Sequence, residues 1–255
     1  MAAPHPEILD VRTHPGWLSN VWMAGRPETG EAFLVDAGFD ADGIVATAAR
    51  LGVRISGILL THHHGDHSGA AFELARRTRA PVRAHAAEIA RLGADARGYL
   101  AVEDGEEFTV AGVPVRVLHI PGHTIGQVAW LVPGLGVFTG DTLFRGSVGS
   151  TVAPGHTTFA DLRRSLLERL LTLPDSTAVF PGHAAATEIG VERRTNPFLR
   201  VMAGEAAEGD GRCRVAGREA RLVVWARDYD DGFKAWVRYA DGSDAMVPGS
   251  RVERL

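Results

Sequence analysis

The segment Thr61-His62-His63-His64-Gly65-Asp66-His67 constrains this chain more than any other, because it follows directly on the apolar run Ile55-Ser56-Gly57-Ile58-Leu59-Leu60. A short apolar run that ends in a polar, glycine-bearing turn predicts a buried strand. Side chains alternate along extended backbone, so His62, His64 and Asp66, spaced two apart, leave the strand end on one side. His67 follows as the chain turns into a helix, and His63 faces the other way. Imidazole nitrogens and carboxylate oxygens are the donors that zinc and its first-row neighbours take. His62, His64, Asp66 and His67 are therefore candidate metal ligands, carried where a rigid element gives way to a loop.

Later segments repeat the arrangement: Pro121-Gly122-His123-Thr124, Phe138-Thr139-Gly140-Asp141-Thr142 and Phe180-Pro181-Gly182-His183. Each ends or closely follows an apolar run, and each sets a glycine beside the candidate donor, which lets the backbone turn sharply. A lone histidine in such a place is more commonly structural. A whole series in order is not explained that way. No G-x-S-x-G elbow occurs, and the single cysteine, Cys213, lies well beyond these segments, so neither a serine nor a cysteine nucleophile is indicated.

These motifs together resemble those of the metallo-β-lactamase-fold hydrolase superfamily, whose pattern is H-x-H-x-D-H followed by His, Asp and His. The resemblance covers residues 6–200. It implies an αββα sandwich of two mixed sheets with helices outside. It also implies a ligand set: His62, His64 and His123 for one metal, Asp66, His67 and His183 for a second, and Asp141 shared by both, with water or hydroxide between them. Two divalent ions are implied, zinc first, with iron or manganese as alternatives. Asp66 is expected to steer the water as well as bind metal.

Within that superfamily, Gly140-Asp141-Thr142-Leu143-Phe144-Arg145-Gly146-Ser147 and Glu192-Arg193-Arg194-Thr195-Asn196-Pro197-Phe198-Leu199 especially resemble the short bacterial form of glyoxalase II, the hydroxyacylglutathione hydrolase. That likeness implies hydrolysis of a small-molecule thioester, or a related ester, to an acid and a thiol. Phe144, Arg145 and Ser150 are the candidate substrate contacts. Ser150 stands where the family carries a cation for the glutathione part, and a hydroxyl cannot pair with a carboxylate as Arg or Lys does. Phe144 stands where lactonases of this fold carry a tyrosine. The enzymatic alternative is a persulfide dioxygenase with one iron on residues matching His62, His123 and Asp141. A further alternative is a binding protein that works through its C-terminal part.

The rest of the chain frames these readings. Strand-like and helix-like segments alternate, which indicates an α/β class. Residues 158–171 predict a helix opened by a Thr158–Asp161 capping box, with Leu162, Leu166 and Leu170 as its inner stripe. Residues 1–203 read as the catalytic domain and 204–211 as a small, polar linker. Residues 212–255 read as a compact all-β unit of about five strands that resembles an SH3-like or Tudor-like barrel. Its aromatics, Trp225, Tyr229, Trp236 and Tyr239, are expected chiefly to build its core, and the unit to pack on the first domain or on a second copy of the chain. A formal charge of −4 over 255 residues gives no reason to expect nucleic acid or an anionic membrane as partner. The N-terminus lacks the basic and apolar regions of a secretory leader, and a lone cysteine suits a reducing cytoplasm. On the implied ligand set, Asp141→Ala is expected to strip both metals and abolish hydrolysis; elemental analysis and an esterase assay on the purified variant check this.

Overall fold

The computed structural model describes residues 5–255; Met1-Ala2-Ala3-Pro4, on which the expectation about a leader partly falls, lies outside the described residues. Contacts divide the chain into two units: Met1–His119 with Gly126–Gly140, and Ile120–Ile125 with Asp141–Leu255.

In the first unit β1 (Glu7–Thr13), β2 (Asn20–Arg26) and β3 (Glu31–Val35) form an antiparallel meander. From β3 the sheet continues in parallel through β4 (Arg54–Leu59), β5 (Val82–His85) and β6 (Leu100–Val102). Parallel neighbours need crossovers, and helices supply them. Helix α1 (Ala41–Leu51) is capped by Asp40, whose carboxylate accepts from the Gly43 amide, and ends at Gly52 in the left-handed region. Next come the single turn α2 (Gly65–Ser68), α3 (Ala71–Thr78) and α4 (Ala86–Leu92). Ile44, Ala48 and Leu74 from these helices are buried against Val21, Leu34, Ile58 and Val82 of the sheet. The same unit holds an antiparallel run of β7 (Glu107–Val110), β8 (Val113–His119), β9 (Val128–Val132) and β10 (Gly136–Gly140). The two sets of strands meet through apolar faces. Phe138 of β10 lies edge-on to Trp22 and Phe33, with ring centres 6.3 and 6.5 Å away.

Helix is interrupted between α2 and α3 at Gly69–Ala70, because the Ala70 amide donates to the Ala37 carbonyl and the Ala37 amide to that of His67. The loop after β3 thus takes hydrogen bonds that a continuous helix would have used.

The second unit begins with the small hairpin β11 (Leu143–Phe144) and β12 (Ser147–Val148). Helix α5 (Phe159–Arg164) opens on the expected Thr158–Asp161 capping box, then widens into π-helix over Ser165–Leu170. Leu162, Leu166 and Leu170 are buried as anticipated, and the Ser165 hydroxyl donates to the Pro121 carbonyl. β13 (Ala178–Pro181) pairs with β14 (Thr187–Glu188), and α6 (Ile189–Thr195) and α7 (Pro197–Met202) follow.

Last comes a five-stranded antiparallel sheet in the order β18-β17-β16-β15-β19. Its strands are β15 (Gly211–Val215), β16 (Arg218–Arg227), β17 (Phe233–Tyr239), β18 (Asp244–Pro248) and β19 (Val252–Arg254). A register shift between Leu222 and Val224 adds the local twist a bulge brings. The mixed α/β class and a small, curled all-β region at the C-terminus are thus both present. Among the described residues no helix is long and apolar enough to cross a membrane.

This C-terminal sheet is fastened to the rest of its unit by polar contacts. The Lys234 ammonium reaches the Asp228 carboxylate at 2.9 Å, with side chains only 5% and 7% exposed. It also donates to the Val148 carbonyl on β12, while Asp228 accepts from the Ser147 hydroxyl. Thr151 and Met246 exchange a further pair of hydrogen bonds. Removing one member of a buried ion pair strands the other charge in a poor solvent. Lys234→Ala should therefore cost about 3–5 kcal/mol of stability, read from denaturant unfolding of the purified variant.

Candidate metal centre

In the first unit the donors stand where β4 gives way to α2. His62 and His67 are fully buried, while His64 and Asp66 are partly open. His62 Nε2 lies 3.0 Å from His64 Nδ1, and His67 Nε2 lies 3.3 Å from an Asp66 oxygen. Two imidazole nitrogens that close would repel if both rings were cationic. At 3.0 Å the two nitrogens share a hydrogen bond, with donor and acceptor set by the tautomers, and they stand near enough together to serve one cation.

What aims the rings lies behind them. Asp36, 1% exposed, accepts from the amide and hydroxyl of Thr61, and its Oδ2 stands 2.9 Å from His67 Nδ1. The Thr61 hydroxyl is also 3.0 Å from His62 Nδ1. A proton chain from His62 Nδ1–H to Thr61, and from Thr61 to Asp36, satisfies every partner. With His67 Nδ1–H donating to the same carboxylate, the Nε2 atoms of both rings stay as acceptors. Carboxylate partners of this kind fix the tautomer and orientation of metal-binding histidines. The loop of Asp36 closes onto the motif at Gly38, where a Cβ would fall 1.8 Å from the Asp66 carbonyl oxygen.

His63 does face away, as the alternation requires. Its ring and amide both bond the buried Glu88, whose other oxygen accepts from the Gly126 amide. Near it His85 stacks on His119 at 4.7 Å, and burial, with His119 adding to it, holds the His85 imidazole below its ordinary pKa. That ring is neutral at pH 7.

In the second unit Asp141 Oδ2 lies 3.5 Å from His123 Nε2 and 3.3 Å from His183 Nε2. One carboxylate oxygen thus stands between two imidazole nitrogens. The other nitrogen of His123 donates to the Ser150 carbonyl at 3.0 Å. Gly149 allows this, since a Cβ there would fall 1.8 Å from the Asp141 carbonyl oxygen. His183 lies between Tyr229, stacked at 4.4 Å and 21°, and Phe144, edge-on at 5.7 Å.

The residues expected from the sequence are thus gathered in two places. His62, His64, Asp66 and His67 converge in the first unit, and His123, Asp141 and His183 in the second. Among the described residues, these seven are the His and Asp side chains with donor atoms near enough to others to hold a metal ion. Phe144 is buried and packs on His183 rather than standing open, Arg145 is exposed, and Ser150 offers its carbonyl to His123. Asp36, Thr61, Glu88 and Tyr229 were not anticipated. Asp36 follows the apolar run Phe33-Leu34-Val35, which places it at a strand end but does not reveal its partners. Cys213 is buried, and burial raises its thiol pKa, so it supplies no thiolate.

Residues 14–183 match the family described as the Metallo-beta-lactamase superfamily. The hydroxyacylglutathione hydrolase GloC of Haemophilus influenzae is 30% identical over 210 residues, spanning 76% of this chain and 97% of that protein. The crystal structure of ETHE1 from Myxococcus xanthus superposes with a TM-score of 0.67 at 30% identity, covering 77% of this chain and 90% of that one. The structure of TTHA1623 in a di-iron-bound form gives 0.65 at 36% identity, covering 74% and 100%.

Asp36→Ala should lower metal affinity by about 10–100-fold, the usual cost of losing a carboxylate behind a ligating histidine. Chelator competition on the purified variant measures it, with circular dichroism to confirm the fold.

Proposed function

The chain belongs to the metallo-beta-lactamase superfamily, and from that membership we propose that it is a two-metal hydrolase of thioesters or related esters, similar to glyoxalase II. On this reading His62, His64 and His123 hold one ion, Asp66, His67 and His183 the other, and the Asp141 carboxylate serves both. The donors fit such ions: imidazole nitrogens and carboxylate oxygens, with no thiolate among them. Zinc suits that set first, with iron or manganese as alternatives. When bound, a metal pair supplies polarisation of the substrate carbonyl and acidification of water to near neutral pH.

The protein's own groups would do the rest. Asp66, with a side chain 24% exposed against 9% for Asp141, is the carboxylate that solvent reaches. It would orient the attacking water and take its proton. The water oxygen adds to the thioester carbon, the carbon–sulfur bond breaks, and the departing sulfur takes a proton. Ser150 lies where glyoxalase II carries a cation for glutathione, which favours a different thiol carrier. A lone buried cysteine suits a reducing cytoplasm.

The observation that carries this reading is the preorganisation of both donor sets. Asp36 and Thr61 hold His62 and His67 from behind, and Asp141 meets two histidines through one oxygen. A surface cluster of histidines would have no such backing. The likeness to a hydroxyacylglutathione hydrolase of Haemophilus influenzae supports the choice of reaction.

The test is a panel of thioesters with varied thiol carriers, S-lactoylglutathione among them, on protein of measured metal content. The expected outcome is two ions per chain and hydrolysis of at least one member. One iron per chain, with oxygen uptake on a persulfide, would move the assignment to the dioxygenase alternative. Protein that takes up no metal and cleaves nothing would leave the binding role of the C-terminal sheet.

A further inference from the structure

The C-terminal sheet delivers one residue to a candidate ligand. Tyr229, on the connection between β16 and β17, lays its ring on His183 with centres 4.4 Å apart and planes 21° from parallel. The same ring meets Phe144 at 4.9 Å, and Phe144 meets His183 edge-on at 5.7 Å. His183 thus sits in an aromatic corner, with its side chain only 4% exposed. The corner is built, not incidental. Asp228, next to Tyr229, is pinned by the Lys234 ammonium and the Ser147 hydroxyl, and the Tyr229 amide donates to the Asp228 carboxylate. The Lys234 ammonium lies 5.6 Å from the Tyr229 ring centre and 5.5 Å from that of Phe144, where a cation is attracted to the ring faces. The other strong aromatic stacking on this sheet, Trp225 on Phe233, involves no candidate ligand.

We propose that Tyr229 is a positioning residue for His183, and that the C-terminal sheet is thereby a working part of the metal centre. The proposal rests on the reading of His183 as a ligand. A stacked ring fixes the imidazole plane and keeps water from its face, as an outer hydrogen bond does for His67. Losing it lets the ring turn and weakens the hold on the ion that His183 serves.

The experiment is zinc binding to the full-length chain, measured by competition with a chromophoric chelator, for the wild type, Tyr229→Ala, Tyr229→Phe, Trp225→Leu and His183→Ala. Tyr229→Ala should weaken one of the two zinc ions by about 10-fold, while Tyr229→Phe, which keeps the stack, and Trp225→Leu, which loosens the same sheet elsewhere, should bind as the wild type does. Wild-type affinity in Tyr229→Ala, with His183→Ala defective, would overturn the positioning role alone. So would an equal loss in Trp225→Leu, which would make the effect one of general stability, or in Tyr229→Phe, which would transfer it to the hydroxyl. Wild-type binding of both ions by His183→Ala would instead overturn the ligand assignment itself.

Discussion

The buried carboxylate of Asp36 is the interaction on which the donor cluster of the first unit depends. A carboxylate taken out of water is costly unless hydrogen bonds replace its hydration. Here the Thr61 amide, the Thr61 hydroxyl and the His67 ring supply them. The dependence runs both ways. Asp36 needs those donors in order to be buried, and His62 and His67 need Asp36 to hold their Nδ1 protons on the inner side. The exchange of backbone bonds between Ala37 and residues 67 and 70 locks the two loops in register. That same exchange interrupts the helix after the motif, so regular structure gives way where the loop of Asp36 meets the segment that carries His62 to His67.

The donor cluster of the second unit is organised differently. Asp141 gathers His123 and His183 through one oxygen, and both rings are steadied from outside, by the Ser150 carbonyl in one case and by aromatic faces in the other. Close approach matters in both clusters. At Gly38 and at Gly149 the space a Cβ would fill is taken by the backbone oxygen of a carboxylate-bearing residue, so any larger residue would push a donor out of line.

Much of this was legible in the sequence because it is local. The run of donors at the end of an apolar segment marks the turn that gathers them, as the capping box at Thr158 marks its helix, but Asp66 lies within α2 rather than on extended backbone, so the two-residue alternation does not reach it. The exclusion of His63 followed from alternation alone, and its partner Glu88 bears that out. What was not legible is carried by distant pairs. Asp36 acts on residues 25 and 31 positions away, and nothing in its own neighbourhood announces that. Tyr229 read as one more aromatic of a small β unit; its contact with His183 exists only once a turn between two strands is placed beside β13. The widening of α5 into π-helix left no mark in the leucine stripe, which is buried under either geometry.

The seclusion of Cys213 has a chemical corollary for the proposed reaction. Every turnover would liberate a mercaptan, and an accessible protein thiolate attacks the disulfide of an oxidised mercaptan, forming a mixed disulfide and releasing the other sulfur as thiolate. A chain whose sole sulfhydryl is sealed beneath strands, and held protonated there, offers no handle for capture by its own product. Such a catalyst could work in a pool of free and oxidised carriers without becoming covalently mixed with them.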